Sequence, residues 1–194
     1  MSKGNIIFLN GTSSSGKTSI ALALQRFLEV PFLHISIDKF LQSLPARYID
    51  ILAGNQEPSE EEITSLQTYL PRILTGIHAS IAALSSEGNN VIVDYVFERE
   101  DDLKVCVGRL ADFPIFFVGV HCSLGELEHR EKQRDRRQGL AKLQFEIVHS
   151  HKTYDFEVDT TQNNSDECAV KIKQAFEEQS DPIAFKTLKA RLVK

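Results

Sequence analysis

A chain of 194 residues that is 42% apolar has enough Ile, Leu, Val and Phe for a proper core, and its length suits one domain with at most a small lid. A formal net charge of −5 argues against nucleic acid as the main partner, because phosphate backbones are gripped by basic surfaces. Cys106, Cys122 and Cys168 are too scattered for a disulfide framework or a zinc cluster, and the longest apolar run, near residues 113–122, is about half of a membrane-spanning length.

Apolar runs alternate with helical patterns, which predicts a parallel sheet covered by helices. The first strand is expected over Ile6–Asn10. Ile20, Leu24, Phe27 and Leu28 then recur at helical spacing until Pro31. A second strand is expected over Phe32–Ile37. Ser59 and Glu62 read as a capping box that opens a long stripe from Ile63 to Leu84. Pro71 inside that stripe predicts a kink or two consecutive helices. Asn90–Val96 and Ile115–Cys122 are the third and fourth strands, rich in β-branched and aromatic residues as doubly covered strands should be. Ser123 and Glu126 read as another capping box, for a helix expected to end at Gly139. The fifth strand is expected over Asp155–Asp159, and Asn164 with Glu167 caps the helix that follows. Pro182 begins a last amphipathic segment carrying Ile183, Leu188 and Leu192, able to pack on its own domain or on a partner. The expected organisation is one domain over residues 1–194, with a lid at about 123–145 and a further helical segment at 181–194.

Gly11-Thr12-Ser13-Ser14-Ser15-Gly16-Lys17-Thr18 matches the phosphate-loop pattern G-x-x-x-x-G-K-[ST] without a mismatch. It stands between an apolar strand and a helix, the placement its mechanism requires. Glycines let the backbone curl so that successive N–H groups face phosphate oxygens, and the helix N-terminus adds partial positive charge there. Lys17 is expected to bridge the β- and γ-phosphates, Thr18 to ligate Mg²⁺, and Ser19 to extend the same nucleotide site. No Asn-Lys-x-Asp appears and no Asp-x-x-Gly follows the third strand, which argues against a GTPase.

Two acids stand at strand ends, where parallel sheets gather ligands. Asp38, closing the second strand, is the expected base and substrate anchor; Asp94 is the expected Walker-B-like metal acid or a second substrate contact. Either could instead cap a helix. Arg130, Arg134 and Arg137 fall on one face of the helix after the fourth strand, where a lid arginine would neutralise charge on the transferring phosphoryl group. Arg134 is the first choice as catalytic, with Arg130 as a nucleotide contact.

Several segments together resemble the chloramphenicol phosphotransferase-like family of kinases. These are residues 6–17 (IIFLNGTSSSGK), Asp38 with Leu44-Pro45, residues 91–97 (VIVDYVF), residues 118–122 (VGVHC), Arg130 and Arg134, Gln144 with Val148-His149, residues 154–161 (YDFEVDTT) and residues 167–169 (ECA). The likeness runs in order over about residues 5–172. The chain departs from the family pattern at about residues 47–70, in a shorter loop near 136–139, and in the tail beyond Lys173. The resemblance implies a P-loop nucleoside-kinase-like α/β/α fold with a five-stranded parallel sheet and a small helical lid. It also implies ATP with Mg²⁺ and an acid at the position of Asp38 acting on a substrate hydroxyl.

The resulting expectation is an ATP-dependent O-phosphotransferase acting on the hydroxyl of a small molecule, located in the cytoplasm, without a nucleic-acid or membrane partner. Open alternatives are a zeta-toxin-like kinase, a nucleotide or metabolite kinase, and a non-catalytic ATP-binding regulator. ATP against GTP and the oligomeric state stay open.

Overall fold

The computed structural model describes residues 2–133, 139–179 and 181–193. Five parallel strands, β1 (Ile6–Asn10), β2 (Phe32–Ser36), β3 (Asn90–Tyr95), β4 (Ile115–His121) and β5 (Phe156–Asp159), lie in the order β2-β3-β1-β4-β5. Strand period two divides their side chains between two cores. Ile6, Phe8, Val91, Val93, Tyr95, Ile115 and Phe117 point to one face. Ile7, Leu9, Ile92, Phe116, Val118 and Val120 point to the other.

The second face is covered by α1 (Lys17–Phe27) and α8 (Ser165–Glu178). The first is covered by α4 (Glu60–Ser86), α5 (Glu100–Leu110) and α9 (Ala184–Leu192). Four shorter helices shape the ligand end of the sheet: α2 (Ile37–Leu41), α3 (Ala46–Leu52), α6 (Leu124–Lys132) and α7 (Leu140–Phe145). The expected strands are all present, with ends that differ by about a residue. One such shift matters: β2 stops at Ser36, so Asp38 does not close the strand but sits in the first turn of α2.

Two helical expectations are corrected, one is narrowed and one helix is added. The stripe through Pro71 is a single helix of 27 residues rather than two. Pro71 deprives the Gln67 carbonyl of its donor, but Gln67 is on the exposed side, where water reaches it. Ser123 does accept from the Glu126 amide, yet the Glu126 carboxylate binds Arg130 instead of closing a capping box. Gly139 does not end that helix; α6 stops at Lys132, and Gly139, at φ 82°, is the N-cap of α7. Helix α5, which the sequence reading leaves unassigned, covers Tyr95 and Phe97 with Leu103, Cys106 and Val107.

The C-terminal segment packs on its own chain. Phe185 lies 5.0 Å from Phe117 and 5.6 Å from Phe8, ring centre to ring centre, and Leu188 is fully buried. Asp155 anchors it: its Oδ1 accepts from the Ile183 and Ala184 amides, while its Oδ2 accepts from the Phe117 amide on β4. The carboxylate thus caps the start of α9 and ties it to the sheet.

Candidate active site

The loop leaving β1 turns under a hard steric limit. A Cβ on Gly11 would stand 2.4 Å from the Val120 carbonyl oxygen and 2.8 Å from Ser15 Oγ, so only glycine passes there. Ser14 and Gly16 take left-handed backbone angles, φ 62° and 91°, which reverse the chain onto α1.

The loop's carbonyls are tied down from within the loop and from outside it. Thr12 O accepts from Lys17 Nζ at 2.7 Å and from the Ser15 amide at 3.2 Å. Ser14 O accepts from Arg130 at 3.3 Å, and Ser15 O accepts from the Thr160 hydroxyl at 2.9 Å. Arg130 also donates to the Thr160 carbonyl at 2.8 Å and to Glu126 at 2.8 Å. Gly16, Lys17 and Thr18 then begin α1, where the first N–H groups have no acceptor within the helix. The result is a curl of amides with a helix N-terminus behind it.

Before this loop opens a cavity of about 350 Å³. Ser13, Ser14, Gly16, Lys17, Thr18 and Ser19 form its floor. Gly11, Thr12 and Ser15 are buried and are not among its lining residues; they shape the turn. Asp38 reaches the cavity from α2 and Asp94 from the end of β3. The wall is apolar on the α2–α4 side and polar where Glu98, Arg99 and Asp102 stand. The long stripe of α4 therefore has two jobs: Ile77 and Ile81 are core, whereas Leu70 and Leu74 line the cavity.

Asp94 is 4% exposed and accepts a 2.5 Å bond from Thr18 Oγ1. Burial by itself raises its pKa, but His34, Lys17 and the Thr18 hydroxyl together outweigh burial and hold the carboxyl below its ordinary value. The His34 ring stands 3.7 Å from Asp94 Oδ2, too far for a good hydrogen bond. A charged, buried carboxylate beside a phosphate-loop threonine fits a hard divalent cation whose other ligands come from phosphate and water. Among the described residues no group of three or more His, Cys, Asp or Glu is placed to hold a metal ion.

Arg130 does not line the cavity; its guanidinium clamps the loop from behind, against Thr160. Arg134 lies outside the described residues, together with Arg136 and Arg137.

Four contributors have no role in the motif reading. Gln144, buried on α7, accepts from the Ser13 amide through Oε1 at 2.6 Å and donates to Glu98 through Nε2. A glutamine oxygen thus occupies an amide of the phosphate curl. Thr160 fastens loop to β5, and Glu98 and Asp102 make the cavity's acidic side. Only Gln144 has a local signal: a polar residue between Ala141 and Phe145 on a short apolar helix face.

The family model described as "Chloramphenicol phosphotransferase-like protein" matches residues 4–177. The chain belongs to this family. A Mycobacterium tuberculosis protein named "Putative O-phosphotransferase", found in two strains, is 32% identical over 205 residues, covering 100% of this chain and 91% of its own.

Solved structures show the same fold at low identity. A sugar kinase from Janibacter sp. superposes with a TM-score of 0.67 at 13% identity, covering 90% of this chain and 95% of its own. The APS kinase of Mycobacterium tuberculosis, in complex with AMPPNP and APS, gives 0.64 at 16%, covering 92% and 100%. A gluconokinase from Sinorhizobium meliloti gives 0.64 at 17%, covering 98% and 99%. No described helix is long and apolar enough to cross a membrane.

Proposed function

We propose that the chain transfers the γ-phosphate of ATP to a hydroxyl of a small molecule, with Asp38 as the base. One observation carries the reading: the phosphate loop, the Thr18–Asp94 pair and the Asp38 carboxylate all border one cavity. Kinship to a family of phosphotransferases, and the AMPPNP in a structural neighbour, support nucleotide use.

In this scheme the amides of residues 13–19 and the Lys17 ammonium hold the triphosphate. Thr18 and Asp94 would hold Mg²⁺, which supplies charge neutralisation between the β- and γ-phosphates. The acceptor hydroxyl gives its proton to Asp38 as its oxygen bonds to the γ-phosphorus; the bond from that phosphorus to the β–γ bridging oxygen breaks and ADP leaves. Water would compete as acceptor, so closing the segment around α6 and α7 over the cavity serves to exclude it. Arg134 belongs to that segment and is assigned to the transferring phosphoryl group. The three buried free cysteines suit a reducing cytoplasm.

Asp38→Asn tests the reading. Turnover should fall by about 10²- to 10⁴-fold while the MgATP dissociation constant, measured by calorimetry, stays within about twofold. Equal losses in both would remove Asp38 as base. MgATP binding with no transfer to any alcohol would favour a nucleotide-sensing regulator.

A further inference from the structure

The acidic side of the cavity has an organisation of its own. Tyr95 Oη donates to Asp102 Oδ2 at 2.8 Å. Its donor is then spent, so the 3.2 Å contact between Tyr95 Oη and His78 Nε2 requires His78 to donate from Nε2. The chain His78 to Tyr95 to Asp102 aims two donors in sequence at one carboxylate. Its other oxygen, Oδ1, has no hydrogen-bond donor among the described residues; the nearest candidate, His78 Nε2, stands at 3.7 Å and is already engaged with Tyr95.

Asp102 is held in a poorly hydrated place, its side chain 13% exposed, at the cavity wall. Burial pushes its pKa up to about 6, partly offset by the Tyr95 bond and by Arg99, so at neutral pH it is a desolvated anion. Such a charge is costly until a partner arrives. Arg99 offsets that charge only in part: its side chain is 78% exposed, with Nη2 3.6 Å from Asp101. Glu98 and Asp38 add two further carboxylates to the lining of the same cavity. Ile37, Leu41, Leu70, Leu74 and Val96 supply the apolar part of the lining. Past Leu70, an apolar groove of about 410 Å³ continues between α3 and α4, lined by Tyr48, Leu66 and Tyr69.

From this layout we propose that the acceptor is an amino alcohol with an apolar body, its protonated amine bound at Asp102 and its hydroxyl presented to Asp38. The assignment rests on the phosphotransferase reading. The cation neutralises Asp102 and faces Glu98, while the apolar body covers the leucines and extends toward the groove beyond Leu70. Asp102 is thereby a specificity-determining residue: it contacts the acceptor away from the reacting oxygen.

The test uses matched acceptors with the full-length protein. Phenyl- and alkyl-substituted 1,2- and 1,3-amino alcohols are each paired with the N-acetyl derivative, which keeps the hydroxyl and removes the charge. ADP release at saturating MgATP gives kcat/KM for each member, and phosphorus NMR identifies the phosphate ester. The amines should exceed their N-acetyl partners by about 10- to 100-fold, the range expected when a charge-assisted hydrogen bond is lost. Asp102→Asn should bring each pair to within about threefold, chiefly by raising KM for the amine, with MgATP affinity unchanged. The comparison on the unaltered protein stands even if that variant folds poorly. Equal or better use of the N-acetyl members, or no ADP release above the water background with any amine, overturns the assignment. Calorimetry separates the two failures: retained MgATP binding without amine preference sinks the amine site alone, and loss of MgATP binding sinks the phosphotransferase reading with it.

Discussion

Lowering the pH from 7.5 to 5.5 should destabilise this fold by about 2 to 3 kcal/mol, through three histidines packed neutral around the sheet. Burial lowers the pKa of His78 to about 4, helped by Arg109. Burial lowers His151 to about 4, helped by Arg191, and His149 to about 3, helped by His121, His151 and Lys17. In each case the folded pKa is below the ordinary 6.5, so the unfolded chain takes up protons first. Stability is then fully present above about pH 6.5 and is lost as the pH falls below it. At pH 5.5 each ring costs about 1.4 kcal/mol, or about 4 in total. Asp102 has the opposite sign. Its raised pKa, about 6, means that protonation in this window relieves the folded state, returning about 1 kcal/mol. Partial solvent access to His149 and His151 trims the total further. The lowered carboxylates, Glu62, Asp94 and Asp159, act below this window. Urea unfolding at a series of pH values reads the effect directly, and His151→Asn should remove about one third of the slope. Stability that is flat or rising from pH 7.5 to 5.5 would refute the claim that these rings are held neutral by burial.

Two further outcomes test the packing and the loop. Phe185→Ala should cost about 3 to 5 kcal/mol by urea unfolding, because the ring is buried against Phe8 and Phe117; a cost below about 1 kcal/mol would mean that α9 is not part of the core. Gln144→Ala frees the Ser13 amide that a γ-phosphate would otherwise have to take from the glutamine. Affinity for ATP should therefore rise relative to ADP by about two- to tenfold in calorimetry, and an unchanged ratio would mean that this amide faces no γ-phosphate.

The sheet was legible because its strands are covered on both faces. Ile6–Asn10 and Ile115–His121 are near-continuous apolar runs that fit little else at their length. Capping was legible where the partners are adjacent in sequence, as in Ser59 with Glu62 and Asn164 with Glu167. It failed at Ser123, where a local arginine competes for the same glutamate, and Arg130 wins with a charge-assisted bond. Gly139 misled for a related reason. A left-handed glycine serves either end of a helix, and here Glu131, buried behind it, accepts from the Gly139 and Ala141 amides to start α7. Phe185 was invisible as core because α9 owes its place to Asp155, a residue 30 positions upstream.

The site divides along the same line. Phosphate-loop residues announce themselves because amide geometry demands glycine and lysine at fixed spacing. The residues that keep the amides facing inward do not, since any donor will serve to hold a carbonyl outward. Here the donors from outside the motif are Arg130 and Thr160, drawn from α6 and the end of β5. With Gln144, their arrangement ties the loop to α6 and α7. Arg130 cannot swing outward with α6 without releasing the Ser14 carbonyl, and Gln144 cannot leave with α7 without releasing the Ser13 amide. Movement of either short helix would therefore alter the shape of the loop itself, so under the proposed function nucleotide grip and cavity closure would be tied through these two hydrogen bonds rather than through the fold at large.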